Sequence, residues 1–241
     1  MANYLLISAT SSIGEETAKR LSEKGHNLFL TSRSEEKIAP LVQGTRSPYA
    51  LVDPADFEAV MRVVQEAKTK LGSLDGAVCF AGSLILKGAH STTFEEYQRT
   101  IQASLTSAFA LVRAGATHME TGGSIVLLSS AASLEGIPYH EAIAAAKGGI
   151  NALTLSAAAT YASKKIRVNA IAPGLTKTRG TEFLFQNSDS LHFSEKMHPL
   201  GRLGTTSDIA QAVEFFLDPK NDWITGQILA VDGGLSKIKK G

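Results

Sequence analysis

Short runs that are apolar throughout alternate along the chain with longer segments whose apolar residues recur every three or four positions. The runs predict strands at residues 4–8, 27–32, 49–52, 77–81, 124–129, 166–172 and 227–231. After the first, Ile13, Thr17, Ala18 and Leu21 mark a helix that Thr10, Ser11 and Ser12 open and Gly25 closes. Further helices are predicted over 34–42, 55–70, about 140–162 and 206–217, the last opened by Thr205, Thr206, Ser207 and Asp208. A long helix between the fourth and fifth strands carries Phe94, Tyr97, Ile101, Leu105, Ala108 and Val112 on one face. Residues 174–200 show no clear period.

A strand without polar alternation is one buried on both faces. Strands and helices in strict alternation, joined by right-handed crossovers, give a parallel sheet with helices on both sides. No linker or repeat interrupts the pattern, so residues 1–241 read as a single doubly wound α/β domain of about seven strands. Ligands of such sheets bind beyond the carboxyl ends of the strands. Ser8, Asp53, Ala81, Ser129 and Pro173 all fall at or just past those ends, which places a site there.

Composition narrows the class. Of 241 residues 44% are apolar and 20% charged, enough to bury a sizeable core. A formal net charge of +1 offers no field to draw the chain onto nucleic acid or an acidic membrane. The basic clusters at Lys164-Lys165 and over 237–240 read as solvated surface. No apolar run approaches the roughly 18 residues of a membrane span. The opening MANYLLIS lacks the basic start and long apolar core of a signal peptide. The single cysteine, Cys79, sits in an apolar run, rules out an internal disulfide and reads as a small core residue. A cytoplasmic protein acting on a small molecule, with no nucleic-acid or membrane partner, is the expectation.

Three stretches carry candidate chemistry. The first is the turn Ile7-Ser8-Ala9-Thr10-Ser11-Ser12-Ile13-Gly14, which leads into a helix N-terminus, where N–H groups and the helix dipole favour a phosphate. A serine there adds a Cβ, which costs closeness wherever φ is positive, and a hydroxyl that can face a phosphate. A serine-lined phosphate turn and a plain capped helix both satisfy these residues. The second is Thr31-Ser32-Arg33-Ser34 at the end of the second strand. It holds no acid to pair with a ribose 2′-hydroxyl, whereas the fork of Arg33 suits a 2′-phosphate. The third is Lys147, set in a helix whose residues 142–150 are otherwise small or apolar. Burying an unpaired ammonium is costly, so Lys147 is expected to have a partner.

The stretch SSAASLEGIPYHEAIAAAK, from Ser129 to Lys147, resembles the active-site segment of the short-chain dehydrogenase/reductase family. That pattern has a Ser at a strand end, a Tyr thirteen residues later and a Lys four after that; Ser130 and Lys147 fit, and the Tyr position is Ile143. The resemblance covers nearly the whole chain. Ile7, Ser8 and Ser12 stand where the family has Thr, Gly and Gly before the retained Ile13-Gly14. Cys79-Phe80-Ala81-Gly82 stands for Asn-Asn-Ala-Gly, with Phe80 read as core, and Ser104 for an Asn that bends the long helix and holds a relay water. The segments 166–174, 201–204, 225–227 and 231–234 follow the family closely.

The resemblance implies a Rossmann-type fold and an NADP(H)-dependent oxidoreductase acting on a carbonyl or hydroxyl. Ser130 would polarise the substrate oxygen, Lys147 would hold the nicotinamide ribose and Ser104 a water. His140, one helical face with Lys147 if the helix begins by 140, or its neighbour Tyr139, would replace the missing Tyr. Implied cofactor contacts are Ser8, Thr10, Ser11, Ser12, Ile13, Gly14, Arg33, Asp53, Pro54, Ala81, Gly82, Lys147, Pro173, Gly174, Thr176 and Thr178. Asp53-Pro54-Ala55-Asp56 also reads as a helix start. A lid over 175–200 would present Phe183, Leu184, Phe185, Phe193 and Met197 to a partly apolar substrate or pack itself down with them, with a flexible tip at Asn187, Ser188, Asp189 and Ser190. A homodimer or homotetramer through the two long helices is implied as well. The alternative is a catalytically silent dinucleotide-binding sensor or scaffold, which Ser8, Ser12, Ser104 and Ile143 favour.

Overall fold

The computed structural model describes residues 1–239, so Lys240, the end of the basic tail, lies outside them. The apolar runs become β1 (Asn3–Ile7), β2 (Asn27–Ser32), β3 (Tyr49–Leu51), β4 (Gly76–Cys79), β5 (Gly123–Leu128), β6 (Ile166–Pro173) and β7 (Ile228–Val231). They pair in parallel in the order β3-β2-β1-β4-β5-β6-β7. The strand order reverses between β1 and β4, which opens a crevice at their carboxyl ends.

Side chains alternate across a strand, so each buried strand feeds two cores. Leu5 and Ile7 of β1 face one core, shared with Val60, Val63 and Val64 of α3 (Phe57–Leu71), Leu111 of α5 (Ser107–His118) and Ile150 of α6 (Glu141–Tyr161). Tyr4 and Leu6 face the other, with Leu21 of α1 (Ser12–Glu23), Ile38 of α2 (Glu35–Thr45) and Phe216 of α8 (Thr206–Leu217). Cys79 is buried in the first core, and burial pushes its thiol pKa up, as befits a structural residue. Phe80 packs against the second.

Three expectations need correction. The long helix is not one apolar face: α4 (Phe94–Ile101) leaves Phe94 65% and Tyr97 43% exposed, and the turn from Gln102 to Thr106 is π-helical before α5 begins. The wider turn rotates the face, so only Ala108 and Val112 of the predicted stripe are buried. The lid is not without period, because it contains α7 (Ser188–Met197). Its expected flexible tip is instead the helix start, where the Asn187 side chain accepts from the Asp189 N–H at 2.8 Å. Asp53 and Pro54 precede rather than open α3. Asp56 caps that helix, while the Asp53 carboxylate accepts from the Ala55 N–H at 3.0 Å.

Gly14 is where α1 docks onto the end of β1: a Cβ there would lie 2.7 Å from the Ala9 carbonyl oxygen and 2.9 Å from Ser11 Oγ. Backbone cannot yield as a flexible side chain can. Gly14→Ala is therefore expected to lower stability by about 1–3 kcal/mol, read as a melting temperature several degrees below that of the unsubstituted chain.

Candidate active site

Ser8 follows β1 with φ +58°, a left-handed backbone that a Cβ disfavours by roughly 1 kcal/mol. It is held there by its N–H, which donates to Thr31 Oγ1 at 3.1 Å. Ser11 caps α1 by accepting from the Gly14 N–H, and Thr10 Oγ1 lies 3.0 Å from Ser32 Oγ, tying the turn to the end of β2. Arg33 is exposed just beyond. The hydroxyl of Ser12 accepts from the Arg179 N–H at 3.1 Å and holds the start of the lid, which leaves its own proton to donate. The first N–H groups of α1 still have no partner inside the helix, which keeps the turn a ready anion site.

Lys147 lies on the second turn of α6, buried to 8% exposure. Its Nζ donates to the Leu128 carbonyl oxygen at the end of β5 at 2.7 Å. Burial lowers its pKa from 10.5 to about 8. A Cβ on Gly82 would lie 3.4 Å from Nζ and 3.7 Å from Ser104 Oγ, so these three residues meet at one point. Ser104 sits in the π turn, 1% exposed, and its Oγ has no protein partner. A buried hydroxyl demands a hydrogen bond, and an ammonium with one carbonyl keeps two donors to place. Hydroxyl-rich ligand atoms such as a ribose pair, with a water, fit this floor.

Ser130 caps a short turn after β5 and accepts from the Ala132 N–H at 3.2 Å, leaving its own proton to donate. The loop is fixed by a network absent from the sequence expectations. Ser129 Oγ donates to Asn151 Oδ1 at 2.6 Å, Asn151 Nδ2 donates to Ser133 Oγ at 2.9 Å, and Ser133 donates to the Ser130 carbonyl at 2.6 Å. Asn151 stands one turn after Lys147 on α6, the spacing that could have singled it out.

One turn before Lys147 on α6, Ile143 lines a cavity of about 1060 Å³ between the strand ends and the lid. Ser130, Tyr139, His140, Ile143, Pro173, Gly174, Thr176 and Thr178 all reach it, as does Ile13. Phe183, Leu184, Phe193 and Met197 line it from the lid, but Phe185 does not. Phe183 and Phe193 stay 54% and 67% exposed, so they do not pack the lid down. Ser8, Arg33, Asp53, Pro54, Ala81 and Gly82 do not line this cavity.

Helix α6 begins at Glu141, one residue later than the shared-face argument needed. His140 is its cap and reaches the cavity from there, with Nδ1 2.7 Å from the Pro138 carbonyl oxygen. A carbonyl only accepts, so Nδ1 carries the proton and Nε2 is the nitrogen free for proton exchange. Tyr139 takes φ +63°, a strained backbone for a bulky residue, on the same wall. His198, which the sequence did not flag, locks the lid: its Nδ1 pairs with the Ser194 carbonyl at 2.7 Å and its Nε2 accepts from the Leu175 N–H at 3.2 Å.

The burial of Lys147 gives a prediction in two directions. Its folded pKa lies below the unfolded value, so the folded chain pays about 3 kcal/mol for the charge at pH 7, a cost relieved as pH rises from 8 to 10.5. Lys147→Met removes that cost and loses one hydrogen bond worth about 1 kcal/mol. The variant is expected to melt a few degrees higher at pH 7, with the difference shrinking between pH 8 and 10.5, and to bind a nicotinamide dinucleotide at least tenfold more weakly. Thermal melts and fluorescence titration check the two halves.

The profile of the family described as enoyl-(acyl carrier protein) reductase matches residues 7–236. A hydroxynaphthalene reductase-like protein of Metarhizium anisopliae is 32% identical over 95% of this chain and 93% of its own. The structure of a short-chain type dehydrogenase/reductase from Mycobacterium ulcerans superposes with a TM-score of 0.93 at 26% identity, covering 98% of this chain and 90% of that one. ElxO with NADP bound superposes with a TM-score of 0.91 at 28% identity, covering 97% and 98%. With a matched profile across almost its whole length and the same seven-stranded sheet, the chain belongs to the short-chain dehydrogenase/reductase family of oxidoreductases.

Proposed function

We propose that the chain is an NADP(H)-linked reductase or dehydrogenase of a small, partly apolar carbonyl or alcohol, with His140 in the proton-transfer role. The observation that carries this reading is the meeting of Lys147 Nζ, Ser104 Oγ and Gly82 one helical turn from Ile143, which lines the cavity that Ser130 and His140 share. Nicotinamide, when bound, exchanges hydride with the substrate carbon. Lys147 holds ribose hydroxyls, the serine-lined turn takes the diphosphate, and Arg33 takes the 2′-phosphate that separates NADPH from NADH. Ser130 donates a hydrogen bond to the substrate oxygen and polarises it, keeping its own proton. The Nε2 of His140 takes a proton from an alcohol when the ring is neutral and gives one to a ketone oxygen when it is charged. Phe183, Phe193, Leu184 and Met197 receive the apolar part of the substrate. The NADP in the ElxO structure and the reductase-like fungal relative support the cofactor and the reaction class. Exposed Phe94, Tyr97, Phe109 and Leu155 on the long helices support a homo-oligomer.

The second reading, a silent binding protein, rests on one observation: the Tyr position is Ile143, 4% exposed on the cavity wall. A general acid is worth roughly 10²- to 10⁴-fold in rate, so its loss without replacement leaves little turnover.

A panel of apolar ketones assayed by NADPH consumption separates the two. The proposal expects measurable turnover that His140→Ala lowers at least 100-fold with NADPH affinity retained. No turnover by the unsubstituted chain, together with turnover by Ile143→Tyr, supports the silent reading. Arg33→Ala is expected to weaken NADPH binding about tenfold and leave NADH unchanged; equal effects on both would remove Arg33 from the 2′-phosphate role.

A further inference from the structure

Arg179 crosses from the lid to the diphosphate turn. Its Nη1 and Nη2 pair with both carboxylate oxygens of Glu15 at 3.1 and 2.8 Å, Nη2 also donates to the Thr10 carbonyl at 2.6 Å, and its backbone N–H rests on Ser12 Oγ. Every one of these partners belongs to the turn or the first turn of α1. The guanidinium is 61% exposed, on the edge of a groove of about 620 Å³ that Thr10, Glu15, Lys19 and Lys37 also line. The lid residues just before it, Thr176 and Thr178, face the substrate cavity, so Arg179 stands where the two halves of the cleft join.

The chemistry of this arrangement is unusual for an anion site. Glu15 places a carboxylate in the first turn of the helix whose N-terminus would meet the diphosphate. A carboxylate there satisfies the helix dipole but repels a phosphate. Arg179 neutralises it, and a guanidinium fork fits two phosphate oxygens as well as it fits two carboxylate oxygens. The guanidinium is 61% exposed and the Glu15 side chain 26%, so the arginine has open solvent on one side into which it can turn. The anchors through Ser12 Oγ and the Thr10 carbonyl lie on the diphosphate turn, and the Thr10 hydroxyl in turn meets Ser32, next to Arg33.

We propose that Arg179 is a diphosphate ligand of the cofactor site, held on Glu15 until a dinucleotide arrives and then exchanging the carboxylate for phosphate oxygens. The proposal rests on the reading of the cleft as a dinucleotide site. It makes the start of the lid part of the diphosphate site. It also assigns the two arginines separate tasks: Arg33 distinguishes NADPH from NADH, whereas Arg179 reads what the two share.

Titration of the full chain with NADPH and with NADH, followed by nicotinamide fluorescence, tests it on Arg179→Ala and Glu15→Gln. Arg179→Ala is expected to weaken both dinucleotides by the same factor, tenfold or more. Glu15→Gln, which frees the arginine, is expected to leave both affinities unchanged or raise them. If both variants weaken binding alike, the pair is only a strap that shapes the loop and the proposal fails. Unchanged affinity in Arg179→Ala, or a loss confined to NADPH, also overturns it. If the unsubstituted chain binds NADPH normally in those cases, the dinucleotide reading stands without the inference; if it binds neither dinucleotide, both fall.

Discussion

The site is organised by one buried cation. Lys147 is held under the strand ends by a single carbonyl, that of Leu128. A core would be more stable with an apolar residue there, since an ammonium deprived of water gains little from one neutral acceptor. The rest of the site depends on keeping it in place. The small residues around it on α6 let the helix sit close to β5, the π turn brings Ser104 toward it, and Gly82 leaves the space between open. The Ser129, Asn151 and Ser133 bonds fix the loop that carries Ser130 against the same helix. Strain at Tyr139 falls on the cavity wall and strain at Ser8 on the turn after β1, where a folded chain tolerates unfavourable geometry in return for binding.

Much of the fold was legible because buried parallel strands leave a plain mark, apolar runs of four to eight residues set between helical repeats. β2 and α8 fall on the predicted residues, and the other predicted boundaries shift by at most three positions. The errors have physical causes. Asn187, Ser188, Asp189 and Ser190 have the composition of a loop, yet the same short polar side chains cap helices, and α7 begins there. Phe94 and Tyr97 keep helical spacing with the core positions of α5, but the π turn between them breaks the register, so the two rings end on the surface.

The site was legible in its local parts and hidden in its long-range ones. Ser130, Lys147 and the Pro173-Gly174 turn are set by spacing along the chain, and the fold delivers them to one cleft. Arg179 was invisible because Glu15 lies 164 positions away, and its backbone contact with Ser12 was hidden for the same reason. His140 reaches the cavity, but from the cap of α6 rather than from its face. The consequence for catalysis is that the proton-transfer group would stand at the rim while Ile143 fills the wall between it and the lysine.

The account rests on Lys147 and the serine-lined turn forming a dinucleotide site, and the most direct measurement is a calorimetric titration of the unsubstituted chain with NADPH and NADH. Micromolar binding with NADPH preferred is the predicted result. Heats indistinguishable from dilution for both, in a sample whose thermal melt shows it folded, would contradict it: the serines would then close the turn to phosphate, and the buried lysine would need another partner.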